Sequence, residues 1–280
     1  MHLREQLRQF YNDQSKHARY QSIPAFVQEA LGYQEQLDDL WRSDKPRYRY
    51  LEDFLERISF TSVMDVGANT GYFSLSLAHR FPRVTVYAVE MHANHVQFMQ
   101  LISRHFHLPN LKIVQKPLLL ENAETFPSAD VLLLFNVLHH AGVDFDQGAV
   151  TSPADFESYA VPYLSHLSRK FTYLVFQMGY NWGGDKRRPI VAVDDDVQKA
   201  RLSFRMLQAG GWKTVEIAYP RLVKRRYVYF PASHDYLLSL QNDHLPGIAR
   251  YLSTLPLEEH SEFYRRPIFI CRSVFSPSHH

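Results

Sequence analysis

Short, uninterrupted apolar runs alternate along this chain with longer stretches whose apolar positions recur every three or four residues. That alternation predicts buried strands separated by amphipathic helices. The strand-like runs fall at 63–66, 84–89, 111–114, 130–135, 171–178, 212–218 and 267–271. Helical spacing relates Leu51, Phe54, Leu55 and Ile58; then Phe73, Leu75, Leu77 and Ala78; then Val96, Phe98, Met99 and Ile102. It returns at Phe156, Ala160, Leu164 and Leu167, with a kink expected at Pro162, and at Val197, Ala200, Phe204 and Leu207. Asp194, Asp195 and Asp196 favour the start of that last helix by charge, and Gly210-Gly211 ends it. Because 131–135 is apolar throughout and flanked by the polar Asp130 and Asn136, it reads as a central parallel strand covered on both faces.

The pattern also divides the chain. Residues 1–45 are a helical extension: Leu3, Leu7 and Phe10 share one face, and Ser22 with Pro24 starts a second helix that Gly32 stops. Residues 46–218 form the α/β core. Residues 219–265, rich in Tyr, Arg and Leu, are an insertion with at least one helix, around 235–240 or 245–252. Residues 266–280 supply the last strand and a tail.

The stretch 63–90 carries the first chemistry. A strand ends at Asp65-Val66, the turn Gly67-Ala68-Asn69-Thr70-Gly71 follows, and a helix begins at Tyr72. The two glycines allow backbone to approach a ligand closely, and the helix behind them presents free N–H groups. Glu90 ends the second strand, at the side of an open α/β sheet where ligands bind, and a carboxylate there can accept both hydroxyls of a ribose. A dinucleotide fingerprint needs glycine where Asn69 and Tyr72 stand, so NAD is disfavoured.

At these residues the sequence resembles the class I S-adenosylmethionine (SAM) dependent methyltransferases. Asp65, Gly67 and Gly71 match the family's first motif, with Asn69 in its middle position, and Glu90 matches the second. The resemblance implies a seven-stranded, mostly parallel Rossmann-like α/β sheet whose last strand is antiparallel and, on our reading, at the edge. It implies SAM as cofactor, held by Asp65, Gly67, Ala68, Asn69, Gly71, Tyr72, Glu90, Met91, Leu118 and Asn136. The carboxylate that often contacts adenine after the third strand is absent from Gln115-Lys116-Pro117-Leu118, which leaves open whether the donor is SAM or a modified form. Arg47 or Arg49 is a further candidate for the cofactor's carboxylate, and Tyr11, Tyr20 and Gln21 for a lid.

Asn136-Val137-Leu138-His139-His140 follows the central strand and resembles the segment that faces the transferable methyl in this family. That places His139 or His140, with His140 favoured, to take a proton from the acceptor, while the other fixes the loop through backbone. Tyr180, Asn181 and Trp182 follow the fifth strand and can stack on and hydrogen-bond an acceptor; Arg187 and Arg225 can meet its negative charge.

Composition narrows the setting. Net charge is +2 over 280 residues, which makes no case for nucleic acid overall, although 181–230 holds eleven Lys/Arg against five Asp/Glu. Cys271 is the lone cysteine, so there is no intramolecular disulfide framework. No apolar run approaches the ~20 residues that span a bilayer and no secretory leader is read at the N-terminus, so a cytoplasmic enzyme is expected. No Cys/His spacing fits a metal site; His92, His95, His105 and His107 read as solvated or half-buried helix residues. The expected acceptor is a small molecule or saccharide, with RNA or a non-catalytic SAM-binding module as alternatives.

Overall fold

The computed structural model describes residues 5–7, 22–32 and 44–275. Leu3, Phe10, Tyr11, Tyr20, Gln21 and the His279-His280 tail lie outside the described residues. The chain forms two compact units, Met1–Leu118 and Leu119–His280.

In the first unit, helix α1 (Ala25–Leu31) ends at Gly32, whose left-handed backbone (φ 54°) lets its N–H close on Gln28. Helix α2 (Lys45–Leu55) starts with Pro46 in its first turn and buries Tyr50, Leu51, Phe54 and Leu55; Ile58 falls beyond its end. Strand β1 (Ser62–Val66), helix α3 (Tyr72–Arg80), strand β2 (Thr85–Val89), helix α4 (Ala93–His105) and strand β3 (Leu111–Val114) follow. The strands lie in the order β3-β2-β1, all parallel, with Val63 opposite Val86 and Ala88 opposite Ile113. Asn110 pins the α3–β2 connection by donating to the carbonyls of Ala78, Phe81 and Val84.

The second unit contains β4 (Ala129–Phe135), α5 (Phe156–Ser168), β5 (Phe171–Gln177), α6 (Asp196–Ala209), β6 (Trp212–Val223) and β7 (Arg226–Pro231). It closes with α7 (His234–Gln241), α8 (Leu245–Leu252) and β8 (Ile268–Ser273). Its strand order is β4-β5-β8-β6-β7: β4 and β5 are parallel, and β8 is antiparallel to both of its neighbours. Asp195 caps α6 by accepting the Gln198 N–H.

Three expectations are corrected here. The described residues hold eight strands rather than seven, three in the first unit and five in the second, and three of the second unit's four pairings are antiparallel. The last strand is internal rather than at the edge: Ile268, Phe269, Ile270 and Cys271 are all buried because β5 and β6 flank it. Strand β6 runs on through Pro220 to Val223 and returns as β7, so the insertion opens with a hairpin before its two helices. Beyond Ala218, β6 is paired with β7 alone, and a strand paired on one side tolerates proline.

Candidate functional site

In the first unit the turn after β1 is bound to the end of β2. The N–H groups of Gly67 and Ala68 both donate to the Val89 carbonyl, at 2.9 and 3.0 Å. Gly67, Asn69 and Gly71 all adopt left-handed backbone (φ 69°, 52° and 83°), which explains asparagine in the middle position, since it tolerates that region better than most residues. The Asn69 side chain accepts the Thr70 N–H, while its own N–H donates to Glu90 Oε2 at 2.7 Å. Glu90 Oε1 accepts the His92 N–H, also at 2.7 Å. The carboxylate therefore bridges the two turns, and each oxygen keeps a lone pair for a further donor. Burial acts to raise the Glu90 pKa, but His95 and the N–H groups of His92 and Asn69 more than offset it and hold the carboxyl below its ordinary range.

Other members of the expected cofactor set serve the scaffold. Asp65 is buried and turned toward the first turn of α3, where Ser74 Oγ donates to it at 2.6 Å. Burial pushes its carboxyl up to about 7 against the opposing hydrogen bonds from Ser74. A Cβ at Gly71 would lie 2.5 Å from Met99 Cγ, so this glycine is needed for packing of α3 on α4 as well as for its φ. Ala68 and Leu118 are buried. Tyr72 is buried edge-on to Tyr48 and Phe73, with its phenol pushed above its ordinary range by burial. Met91, in contrast, is 49% exposed immediately after Glu90, which offers an apolar surface beside the carboxylate. Arg47 is buried and ion-paired with Asp44, and so is not an open guanidinium for a cofactor carboxylate.

In the second unit β4 ends at Asn136, again left-handed (φ 58°), and a single helical turn, Leu138–His140, follows. The structure separates the two histidines. His139 is buried, and its Nδ1 accepts the Gly179 N–H at 3.1 Å, which places any proton of the neutral ring on Nε2. His140 is partly exposed, and its Nδ1 stands 2.6 Å from Asp144 Oδ2. A carboxylate at that distance is placed to balance positive charge on the ring.

A largely buried polar network steadies this loop, and sequence reasoning missed it. Arg266 Nη1 donates to Asn136 Oδ1 at 2.8 Å, and its Nε donates to Glu262 Oε1 at 3.0 Å. Asn136 Nδ2 donates to Gln177 Oε1, and Gln177 Nε2 in turn donates to Tyr229 Oη and the Arg266 carbonyl. Asn136 retains one amide hydrogen and one carbonyl lone pair not used by these contacts. The helical spacing of Glu262 and Arg266 was visible in the sequence, but their link to Asn136 depends on β8 lying beside β5.

The aromatic loop after β5 is packed inward. Tyr180 is buried with its hydroxyl 2.8 Å from Ser203 Oγ; Trp182 is buried, donates Nε1–H to the Ala141 carbonyl at 2.7 Å and lies under Arg188. Asn181 is buried as well. Trp182 is thereby tied to the histidine loop and Tyr180 to α6, so these two rings are buried with their polar ends engaged rather than open for stacking. Arg187 is exposed and forked onto Asp185, whose carboxyl it holds down at about 2. Arg225 is exposed in the β6–β7 turn. His95, expected to be solvated or half-buried, is fully buried beside Glu90. Among the described residues no group of three or more His, Cys, Asp or Glu is placed to hold a metal ion, and no helix is long and apolar enough to cross a membrane.

No family model matches the sequence, and no curated protein matches it. Solved structures do resemble the fold. A structure of WbdD with its C-terminal bundle ordered to residue 505 aligns at a TM-score of 0.51 and 13% identity, covering 81% of this chain and 44% of that one. WbdD is described as a bifunctional kinase-methyltransferase, and this chain spans about half its length or less. The precorrin-6y C5,15-methyltransferase of Geobacter metallireducens GS-15 aligns at 0.45 and 11% identity, over 85% of this chain and 92% of that one, a likeness too distant to carry weight. The chain has the class I methyltransferase fold, α/β and Rossmann-like, with a mixed set of strands.

Proposed function

On that fold, we propose that the chain is a SAM-dependent methyltransferase that methylates an oxygen or nitrogen of a small-molecule or saccharide acceptor. The observation that carries the reading is the Glu90 carboxylate, buried at the end of β2, fixed by the Asn69 and His92 N–H groups and still able to accept from a vicinal diol. The exposed apolar Met91 beside it suits an adenine ring, so the residues present fit a nucleoside cofactor. Asp65, Gly67, Ala68, Gly71, Tyr72 and Leu118 shape the strand-turn-helix that presents these groups. Asn136 is assigned to the cofactor through its uncommitted amide hydrogen and lone pair.

When bound, the cofactor supplies a methyl group already activated on a positively charged sulfur. What remains for the protein is orientation and proton removal, and orientation alone can lower a barrier by about 7–11 kcal/mol. His140 takes the acceptor's proton, with Asp144 beside the ring to balance the charge that forms on it. His139 fixes the loop through Gly179. Arg187 and Arg225 are the groups offered to an anionic acceptor.

The test is transfer of tritium from methyl-labelled SAM into acceptor pools of sugar phosphates, small metabolites and bulk RNA. Label in a small-molecule or saccharide fraction that disappears with His140→Ala supports the proposal. SAM binding without labelled product from any pool would make the chain a non-catalytic SAM-binding module. An RNA acceptor is favoured by one observation, the exposed Lys224-Arg225-Arg226 tip of the β6–β7 hairpin, and would show as bulk RNA binding that falls steeply with salt.

A further inference from the structure

His95 lies in the first turn of α4, five residues after Glu90, and is 1% exposed. Neither of its ring nitrogens has a hydrogen-bond partner among the described residues. Glu90 Oε1 stands 3.7 Å from Nδ1, beyond hydrogen-bond length. A buried imidazole with both nitrogens unmatched is costly, and its presence in a core position implies a state in which it gains a partner. Its surroundings indicate which partner. Val96, Phe98, Met99 and Ile102 make up the rest of the buried face of α4, and the neighbouring His92 ring is tilted at 4.9 Å. Glu90 is the acceptor, and closing the gap to the ~2.9 Å of a charge-assisted N–H···O bond needs a shift of about 0.8 Å.

We propose that His95 is a positioning residue for the nucleoside site: as a ribose hydroxyl engages Glu90, His95 Nδ1–H closes onto Oε1 beside the His92 N–H and fixes the carboxylate rotamer, so that the lone pair left on Oε2 faces the ribose. The inference rests on the reading of Glu90 as the ribose-binding carboxylate. It differs from a packing role in that it acts through one named oxygen, so its energetic effect is lost when that oxygen no longer carries charge.

The experiment is calorimetric titration with S-adenosylhomocysteine, which binds without turnover, of wild type, His95→Leu, His95→Asn, and each of these with Glu90→Gln. Leucine fills the space without a donor, whereas asparagine places its amide where Nδ1 stands. The expected result is a loss of affinity of about five- to twentyfold for His95→Leu, most of it restored in His95→Asn and little of it present in the Glu90→Gln background. Equal losses in both backgrounds, or no loss at all, would overturn the proposal while leaving SAM binding intact. A wild type that binds neither SAM nor its demethylated product overturns the cofactor reading itself. If His95→Leu does not fold, His95→Gln replaces it: its longer amide misses the Nδ1 position, so affinity should fall relative to His95→Asn, and equal affinities would overturn the proposal.

Discussion

The most quantitative consequence of the structure concerns Asp65. It sits on β1, is buried, and has its carboxyl pushed up to about 7, chiefly by burial, against a value near 3.9 in an unfolded chain. Between those two values the folded protein binds a proton that the unfolded chain does not, so this group's contribution is fully present below about pH 4 and is lost as pH rises through 7. A shift of roughly three pH units corresponds to about 4 kcal/mol, approached at a rate of about 1.4 kcal/mol per unit. Asp65→Asn keeps a side chain of the same shape, able to pair with Ser74, and removes the ionisation. Urea denaturation of wild type and variant from pH 5 to 9 measures the effect, because titrations common to both cancel in the difference. The variant should gain on the wild type steadily up to about pH 7 and then hold level. Stability differences that stay constant over the whole range would refute the assignment of a raised pKa to Asp65.

The remaining predictions concern the histidine loop. His140→Ala should lower kcat by about 10²–10⁴-fold in the acceptor assay with SAM affinity unchanged, as expected for loss of a general base. Asp144→Asn should lower kcat by a smaller factor, since it leaves the base in place but removes the charge that balances the protonated ring; an unchanged rate would remove Asp144 from the account. Gly179→Ala should destabilise the protein by about 1–3 kcal/mol, read from its thermal unfolding midpoint, because the added Cβ would lie 2.6 Å from His139 Nε2 and 3.0 Å from Arg266 Nη2.

Periodicity made most of the core legible. The 72–80 helix and the 111–114 strand were read with their observed limits, and the glycine turn with Glu90 stands where the strand pattern put it. What escaped depends on contacts between distant residues. The β6–β7 hairpin was hidden because Pro220 reads as a strand end and because Lys224 and Arg225, at φ 48° and 62°, fill a turn that usually advertises itself with Asn or Gly. The internal position of β8 could not be read from an apolar run alone, which looks the same at an edge or in the middle. Tyr180 and Trp182 carried the chemistry of a stacking platform, yet their burial against Ser203 and Ala141 is a property of the folded loop. His95 was discounted for the same reason, since nothing in its spacing reveals that it is buried beside Glu90.

The central claim is that the first unit holds a nucleoside cofactor through Glu90. Calorimetric titration of SAM and S-adenosylhomocysteine into wild type and Glu90→Ala tests it directly. A hydrogen bond to a charged group is worth about 1.5–3 kcal/mol, so the account predicts binding of both ligands to wild type and affinity about ten- to a hundredfold weaker in the variant. Absence of binding by either ligand, or equal affinity in the two proteins, would contradict it.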